Sequence, residues 1–388
     1  MYRSNIKYII YRIIGLFILI ISLSFNYVDI DHNPNEPVSI EQNNPPFFRN
    51  KNITDGPYIF YENNNIIVKW IKRNRVVTRI ISDDNIRLFK NKFGIEINSK
   101  NLKNPVTDSI NFNQKYNGVE NIVAISDVHG QYELFIQLLR NNKVIDANLK
   151  WNFGNGHLVI LGDIFDRGPK VTELLWLIYQ LENQAKEAGG KLHYILGNHE
   201  LMILNNDLRY INEKYTSSAN KMNMVYSQLY AENTFLGKWI RTKPVLVTIN
   251  DILFVHAGIS PEIITKGLTS EEINNFFINH ITGKSWDVIL NDSLSAFLME
   301  ENGPIWYRGF FESKVTKNQL VNILNYFNVN HIVVGHTTFP NIISIDNGKI
   351  IAIDSNIKEG DFGEVLIYNS GIFYRGTSSG GRIEFVQE

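Results

Sequence analysis

From about residue 119 onwards, apolar runs of strand length alternate with segments of helical periodicity. The run "NIVAIS" at 121–126 is followed by a segment with apolar residues at 134, 135, 138 and 139, and then by "LVIL" at 158–161. Residues 171–188 again place apolar side chains three and four positions apart and end at two glycines. Spacing of three and four is typical of a helix, and the alternation of strands with helices predicts an α/β fold.

Further apolar runs extend this pattern towards the end of the chain. "LHYIL" follows the second helix directly, a helical stretch occupies about 200–242, and "ILFVH", "HIVVGH" and "KIIAIDS" follow it. The pattern favours a two-layer β sandwich flanked by helices over residues 119–388. A single open sheet would show much the same pattern.

The first 25 residues have the pattern of an export segment. Three basic residues precede the unbroken apolar run "IIGLFILIISL" at 13–23, and small residues follow it. This pattern is typical of a signal peptide cleaved after Ser24, and counting the run from residue 9 allows an N-terminal membrane anchor instead. A buried helix is the third alternative. The first two place the rest of the chain outside the cytoplasm, either periplasmic or membrane-anchored and facing outwards.

Two more segments precede the α/β domain. Residues 26–56 are rich in Asn and Pro and lack periodicity, which indicates a linker. In "YIFYENNNIIVKWI", which begins at Tyr58, two β-rich runs flank an Asn-rich turn, and this predicts a hairpin. Residues 57–118 are therefore expected to form a small accessory β segment.

Composition narrows the chemistry. The chain has 38 Lys and Arg against 39 Asp and Glu, so its net charge provides no argument for a nucleic-acid partner. It has no cysteine, which excludes disulfides, thiolate metal sites and thiol nucleophiles. A metal would have to be held by His, Asp, Asn or Glu.

Five apolar strands each end in polar side chains. These side chains belong to Asp127, His129, Asp163, Asn198, His199, His256 and His336. In α/β sheets ligands bind at the carboxyl ends of the strands, and burying so many unpaired polar groups would be costly. A shared pair of metal ions satisfies all of them.

Imidazole and carboxylate groups suit hard or borderline divalent cations, and a carboxylate such as that of Asp163 can bridge two ions. Two ions about 3.5 to 4 Å apart can clamp a phosphoryl group and convert a shared water molecule into a hydroxide nucleophile near neutral pH. Phosphate charge would then be neutralised by arginine and the leaving oxygen protonated by histidine.

The ordered segments "DVHG", "GDIFDRG", "GNHE", "HAG" and "GHT" resemble the calcineurin-like metallophosphoesterase superfamily over residues 120–356. "GPIWYRG" at 303–309 further resembles the bacterial Shewanella-like branch of the phosphoprotein phosphatases. This resemblance implies the metallophosphoesterase fold and two metal ions, which would be manganese, iron or zinc.

The resemblance also implies roles for matching residues. One metal would be held by Asp127, His129 and Asp163, and the other by Asp163, Asn198, His256 and His336. His199 would be the general acid, oriented by Asp166. The phosphate would be bound by Arg167, Arg308 and Asn198.

Other residues remain open. Asp354 of "IDSN" is either an acid that supports the site or a turn residue, and the turn is favoured. Trp306 and Tyr307 either line the pocket or belong to the core. Histidines outside the motifs, such as His157 and His193, are interpreted as surface or packing residues.

The sequence therefore predicts an exported phosphomonoesterase acting on a phosphorylated protein or small phosphoester, which the Shewanella-like resemblance makes a protein phosphatase with some preference for phosphotyrosine. A dinucleoside polyphosphate hydrolase is the alternative, because diadenosine tetraphosphatases share the five motifs. A non-catalytic, metal-stabilised binding module is the alternative of another class.

Overall fold

The computed structural model describes residues 52–82, 85–105 and 110–385. The predicted export segment and nearly all of the predicted linker lie outside the described residues. Within the described part of the chain, no helix has both the length and the apolar composition needed to cross a bilayer.

The described strands form three sheets. They are β1 Asp55–Glu62, β2 Asn65–Lys72, β3 Arg75–Ile81, β4 Lys115–Tyr116, β5 Asn121–Ile125, β6 His157–Ile160, β7 Lys191–Tyr194, β8 Leu246–Ile249, β9 Ile252–Val255, β10 His331–Val334, β11 Ile343–Ile345, β12 Ile350–Ala352, β13 Glu364–Asn369, β14 Ile372–Thr377 and β15 Arg382–Glu384. The two larger sheets have the orders β15-β14-β13-β5-β6-β7 and β11-β12-β10-β9-β8-β4, and the small sheet has the order β1-β2-β3.

Helices connect and cover the strands. They are α1 Ser99–Lys103, α2 Tyr132–Asn141, α3 Val171–Glu187, α4 Asn198–Leu204, α5 Glu213–Lys221, α6 Phe235–Ile240, α7 Pro261–Thr265, α8 Ser270–Phe276, α9 Trp286–Asn291, α10 Ser293–Met299 and α11 Lys317–Phe327. Shorter π-helical and 3-10 turns occupy Phe89–Phe93, Phe277–Ile281, Tyr226–Tyr230 and Ile357–Glu359. The helix predicted over 171–188 is α3, which ends one residue before the predicted end.

Alternate residues of the central strands face different layers. Ala124 and Val159 belong to an apolar cluster shared with Phe254 and Val333 of the other large sheet. Their chain neighbours, such as Ile125, belong to a second cluster that includes the apolar face of α3. Because a strand points successive side chains to opposite faces, this division identifies two sheets packed face to face with helices outside them. The expected two-layer sandwich is confirmed, and the single open sheet is excluded.

The hairpin expected from the Asn-rich turn is β1 and β2, which pair antiparallel up to Glu62 and Asn65. Asn63 and Asn64 both have positive φ, as the tight turn of a two-residue hairpin requires. β1 begins at Asp55, two residues before the expected start of the accessory β segment. β4 lies within that segment in sequence but pairs in parallel with β8, so it belongs to the sandwich.

Candidate active site

The polar residues after the strands lie at one edge of the sandwich. β5 and β6 are parallel neighbours in one sheet, and β9 and β10 are parallel neighbours in the other, so their carboxyl ends meet. Asp127, His129, Asp163 and His336 follow these strands with φ between 46° and 63°. Non-glycine residues with positive φ are uncommon and cluster at functional sites. The sharp turns direct these side chains back over the strand ends.

Asp163 occupies the centre of the site. Its Oδ2 lies 3.4 Å from His256 Nε2, 3.6 Å from His129 Nε2 and 3.8 Å from His199 Nε2. All four side chains are buried. One carboxylate oxygen is therefore shared by imidazoles from both sheets, as the expected bridging role of Asp163 requires.

Two groups of ligand atoms share this carboxylate. His129, Asp163 and His199 form one, and Asp163, His256 and His336 form the other, with the atoms of each group within 4.8 Å of one another. Asn198 adds an amide oxygen to the second group, because its Oδ1 lies 2.9 Å from His256 Nε2.

Asp127 is buried beside these groups but is not a member of either. Its Oδ2 accepts hydrogen bonds from the Ser126 hydroxyl and from the His336 backbone N–H, the latter at 3.0 Å. The third atom of the first group belongs to His199, for which the sequence predicts a different role. The structure therefore brings the other expected ligands into the two groups, whereas Asp127 lies outside them because its Oδ2 accepts from the backbone of the opposite sheet.

Backbone carbonyl groups set the orientation of two imidazoles. His129 Nδ1 donates to the Phe165 carbonyl at 2.7 Å, and His256 Nδ1 donates to the Leu161 carbonyl at 2.6 Å. The Nε2 atoms then face Asp163. Ligating histidines in metalloproteins are held in this way, with the second nitrogen bound to a carbonyl or carboxylate.

Burial and mutual charge shift the pKa values of the site. Burial lowers the pKa of His129 to about 3, and burial together with the charge of Asp354 raises the pKa of Asp127 to about 8. At His256 burial acts in the opposite direction to the Asp163 carboxylate, which raises the pKa to about 10. For Asp163, burial is outweighed by His256 and His199, which hold its pKa well below its usual range.

The donor set fits two divalent ions. It combines imidazole nitrogen, carboxylate and amide oxygen, which suit borderline divalent metals such as manganese, iron and zinc. His336 Nε2 is buried and has no hydrogen-bond partner among the described residues. A buried polar atom without a partner is costly, so the cluster is suited to cations.

His199 and Asp166 form a close pair beside Asp163. His199 Nδ1 donates to Asp166 Oδ2 at 2.5 Å, and both side chains are buried. Burial would lower the pKa of His199, but Asp163 and Asp166 outweigh it and raise that pKa above its usual value. The structure thus places the expected proton donor and its partner acid in contact.

The expected phosphate-binding arginines lie at the rim of the site. Both Arg167 and Arg308 are exposed. Arg308 donates from its guanidinium to the His336 carbonyl at 3.0 Å and to Thr337 Oγ1 at 3.1 Å. Arg167 follows Asp166 directly, and its backbone N–H donates to the Tyr210 carbonyl at 3.0 Å. The two arginines therefore adjoin different parts of the cluster, Arg308 at His336 and Arg167 next to Asp166.

Glu200, in the first turn of α4, does more than cap that helix. Its carboxylate accepts hydrogen bonds from the backbone N–H groups of Asp163, Ile164 and Gly197 at 2.7 to 2.8 Å, and from the Tyr194 hydroxyl at 3.0 Å. These hydrogen bonds connect the turn that carries Asp163 to the start of α4. The signal in the sequence is an acid in the first helical turn next to two site residues.

The structure shows the surroundings of Asp354, Trp306 and Tyr307, whose roles the sequence leaves undecided. Asp354 Oδ1 accepts from the Asn356 backbone at 3.1 Å, as a turn residue does, while its Oδ2 accepts from Thr338 beside the site. Trp306 packs edge-on against His336 with ring centroids 5.7 Å apart, and Tyr307 is buried.

Two histidines outside the motifs pack together. His193 Nε2 lies 3.0 Å from His157 Nδ1, and both histidines are buried. Their interpretation as packing residues is confirmed.

Known proteins resemble this chain over most of its length. It is 29% identical to Shewanella-like protein phosphatase 1 of Plasmodium berghei, over 70% of this chain and 74% of that protein. Shewanella-like protein phosphatase 2 of Arabidopsis thaliana is 24% identical over 62% of this chain and 72% of its own. The crystal structure of a cold-active protein-tyrosine phosphatase from a psychrophilic Shewanella matches with a TM-score of 0.76 and 38% identity, covering 86% of this chain and 99% of that one.

A family model confirms the resemblance carried by the motifs. The model for calcineurin-like phosphoesterases matches residues 120–339, which is more than half of the chain and includes most of the strands that form the site. Because sequence model, relatives and fold agree, the chain belongs to the calcineurin-like phosphoesterase family.

Proposed function

We propose that this phosphoesterase is a protein phosphatase that prefers phosphotyrosine and requires two metal ions of manganese, iron or zinc. The observation that carries the proposal is the His199–Asp166 pair beside the shared Asp163 carboxylate. A metal-binding module needs only the ligands. A buried histidine held by an acid next to them is the arrangement of a proton donor, so the geometry favours catalysis.

His199 would protonate the leaving oxygen. Asp166 occupies Nδ1, so Nε2 is the nitrogen left to face the reacting groups, and the neighbouring carboxylates favour the protonated ring. When bound, the two ions would supply Lewis acidity and lower the pKa of a water molecule towards neutrality.

Arg167 and Arg308 would bind the phosphate oxygens. Guanidinium groups match phosphate in charge and in hydrogen-bond geometry, and both side chains are exposed beside the cluster. The amide of Asn198, at the start of α4, would add a neutral donor. Arg308 is already held by the His336 carbonyl, so its position does not depend on the substrate.

The proposed substrate preference is supported by the Shewanella neighbour, which is described as a protein-tyrosine phosphatase and shares 38% of its residues with this chain. The test compares kcat/KM of the metal-loaded protein for a phosphotyrosine peptide, the matching phosphoserine peptide and diadenosine tetraphosphate. The highest value is expected for the phosphotyrosine peptide. A higher value for the dinucleotide would instead favour the polyphosphate hydrolase.

We also propose that the protein is exported and is either periplasmic or membrane-anchored. The support is the basic and apolar pattern of residues 1–25 alone. Fractionation of native cells should recover the protein outside the cytoplasm, and mass spectrometry of its N-terminus would separate cleavage near Ser24 from a retained anchor. Recovery of the full-length chain from the cytosol would contradict this proposal.

A further inference from the structure

An exposed aromatic ring stands beside the expected proton donor. Tyr210 lies in the connection between α4 and α5 and is 45% exposed, whereas His199 is buried. The centroids of the two rings are 5.3 Å apart at an interplanar angle of 48°. Tyr210 therefore lies between His199 and solvent, on the side from which a substrate would approach.

Two cations surround the same ring. The guanidinium carbons of Arg167 and Arg209 lie 5.5 Å and 5.6 Å from its centroid. Both distances fall within the range of cation–π attraction, which limits the rotation of the ring. Arg209 is itself paired with Asp207 at 2.7 Å, so the ring stands among fixed neighbours.

The backbone of this connection has a separate task. The Tyr210 carbonyl accepts from the Arg167 N–H at 3.0 Å, and Asn212 Nδ2 donates to the Arg167 carbonyl at 2.7 Å. These bonds hold Arg167 in its left-handed conformation without using the Tyr210 side chain. Replacing the ring therefore leaves the backbone of Arg167 in place and removes only the cation–π contact with its guanidinium. Loss of that contact would act on the phosphate, which both kinds of ester share.

The position of the leaving group follows from the position of its proton donor. The leaving oxygen must come within hydrogen-bond reach of His199, at about 2.6 to 3.2 Å. In an aryl ester the aromatic ring is bonded directly to that oxygen, so it must lie next to the His199 imidazole. The Tyr210 ring is a neighbour of the same imidazole, with the two ring centroids 5.3 Å apart.

We propose that Tyr210 is a specificity-determining residue that packs against the aromatic ring of an aryl phosphate leaving group, such as the side chain of phosphotyrosine. The inference rests on the proposed function and adds the structural basis of its preference. A phosphoserine ester carries a methylene group at the same place and offers no ring to pack. Offset or edge-to-face contact then favours the aryl ester, typically by about 3- to 10-fold in kcat/KM.

The test compares Tyr210→Leu, Tyr210→Gln and Tyr210→Phe with the unmodified, metal-loaded protein. For Leu and Gln, kcat/KM for the phosphotyrosine peptide should fall about 3- to 10-fold, while that for the phosphoserine peptide changes less than about twofold. Phe should retain the preference, because it keeps the ring. Tyr326→Leu is the matched control, since Tyr326 is 40% exposed on α11 and has no place in the site.

Inhibition provides a second readout that is independent of turnover. Phenylphosphonate should bind about 3- to 10-fold more weakly to Tyr210→Leu and Tyr210→Gln, and methylphosphonate should bind as it does to the unmodified protein. The role of Tyr210 would be overturned if kcat/KM fell equally for both peptides. It would also be overturned if the variants kept the unmodified protein's ratio of affinities for phenylphosphonate and methylphosphonate. If the unmodified protein does not hydrolyse phosphotyrosine, the proposed function fails, and the phosphonates still decide whether Tyr210 recognises a ring.

Discussion

At the scale of single residues, the proposed roles of His199 and Arg308 differ, and kinetics can separate them. His199→Ala should slow hydrolysis of a phosphoserine peptide by about 100-fold or more, because its alkoxide leaving group needs a proton. The loss for p-nitrophenyl phosphate should be clearly smaller, because that leaving group is stable as an anion. Comparing kcat/KM for the two substrates measures the difference, and equal losses would remove the general-acid assignment.

Arg308→Ala is the comparison for that experiment. It removes a charge-assisted contact to the phosphate group, which both substrates share, so both kcat/KM values should fall to a similar degree. Metal content should stay near normal in Arg308→Ala, because Arg308 provides no metal ligand. In His199→Ala the metal content is measured beside the kinetics, because His199 belongs to the first group of ligand atoms. Undiminished turnover in both would mean that the phosphate binds away from this cluster.

At the scale of elements, Glu200 fastens α4 to the turn that carries Asp163. Glu200→Gln would place an amide NH₂ group among four donors, so at least one buried donor loses its acceptor. Each unsatisfied buried group costs about 1 to 3 kcal/mol. Chemical unfolding should show a loss of this size together with reduced activity, because the Asp163 turn is no longer held.

Glu272 provides a matched control for Glu200→Gln. It occupies the same position in the first turn of α8 and accepts from the Thr269 N–H at 2.9 Å, but it is exposed. Water can replace its bonds, so Glu272→Gln should change stability by less than about 0.5 kcal/mol. Similar losses in the two variants would show that the Glu200 bonds contribute only as a helix cap.

The contact between His157, at the start of β6, and His193 within β7 predicts a pH dependence of stability. Burial lowers the pKa of His157 to about 4 and that of His193 well below its usual value. In the unfolded chain the pKa of both histidines would be about 6.5. Below that pH the unfolded state binds more protons than the folded state, so stability falls as the pH falls towards 4. The loss is at most about 1.4 kcal/mol per pH unit for each histidine.

Unfolding measured between pH 6.5 and 4 checks this prediction. His193→Leu should show a shallower fall in stability than the unmodified protein, because one titrating group is gone. His280 is exposed, so His280→Gln should keep the original slope. Identical slopes in all three proteins would contradict the prediction.

The elements that could be predicted from the sequence are those with strong apolar runs. The central strands and α3 contain such runs. By contrast, β4 has two residues and β15 is exposed throughout, so these two strands are identified only by their pairing with neighbouring strands. The site shows the same contrast. Its ligands follow apolar strands, but the bonds of Glu200 connect residues 36 and 37 positions apart and have no local pattern.

At the scale of the whole molecule, the site joins the two layers of the sandwich. His129 and Asp163 follow strands of one sheet, and His256 and His336 follow strands of the other. The expected metal ligands therefore come from both layers, and Asp127 adds a hydrogen bond to the His336 backbone N–H. Ion binding by these residues would consequently stabilise the fold as well as support catalysis.

Metal removal tests this coupling. Ions that bind only the folded protein stabilise it by about 2.7 kcal/mol per site at a hundredfold excess over Kd, so chelation should lower Tm and abolish activity, and Mn²⁺ should restore both. In Asp163→Asn, the remaining oxygen can keep the bond to the His199 N–H, which is 3.0 Å long, while the other atom becomes a donor facing the imidazoles. This variant should fold without bound metal, and its Tm should not respond to chelator or Mn²⁺. A chelator-dependent Tm in the variant would show that Asp163 does not hold the ions.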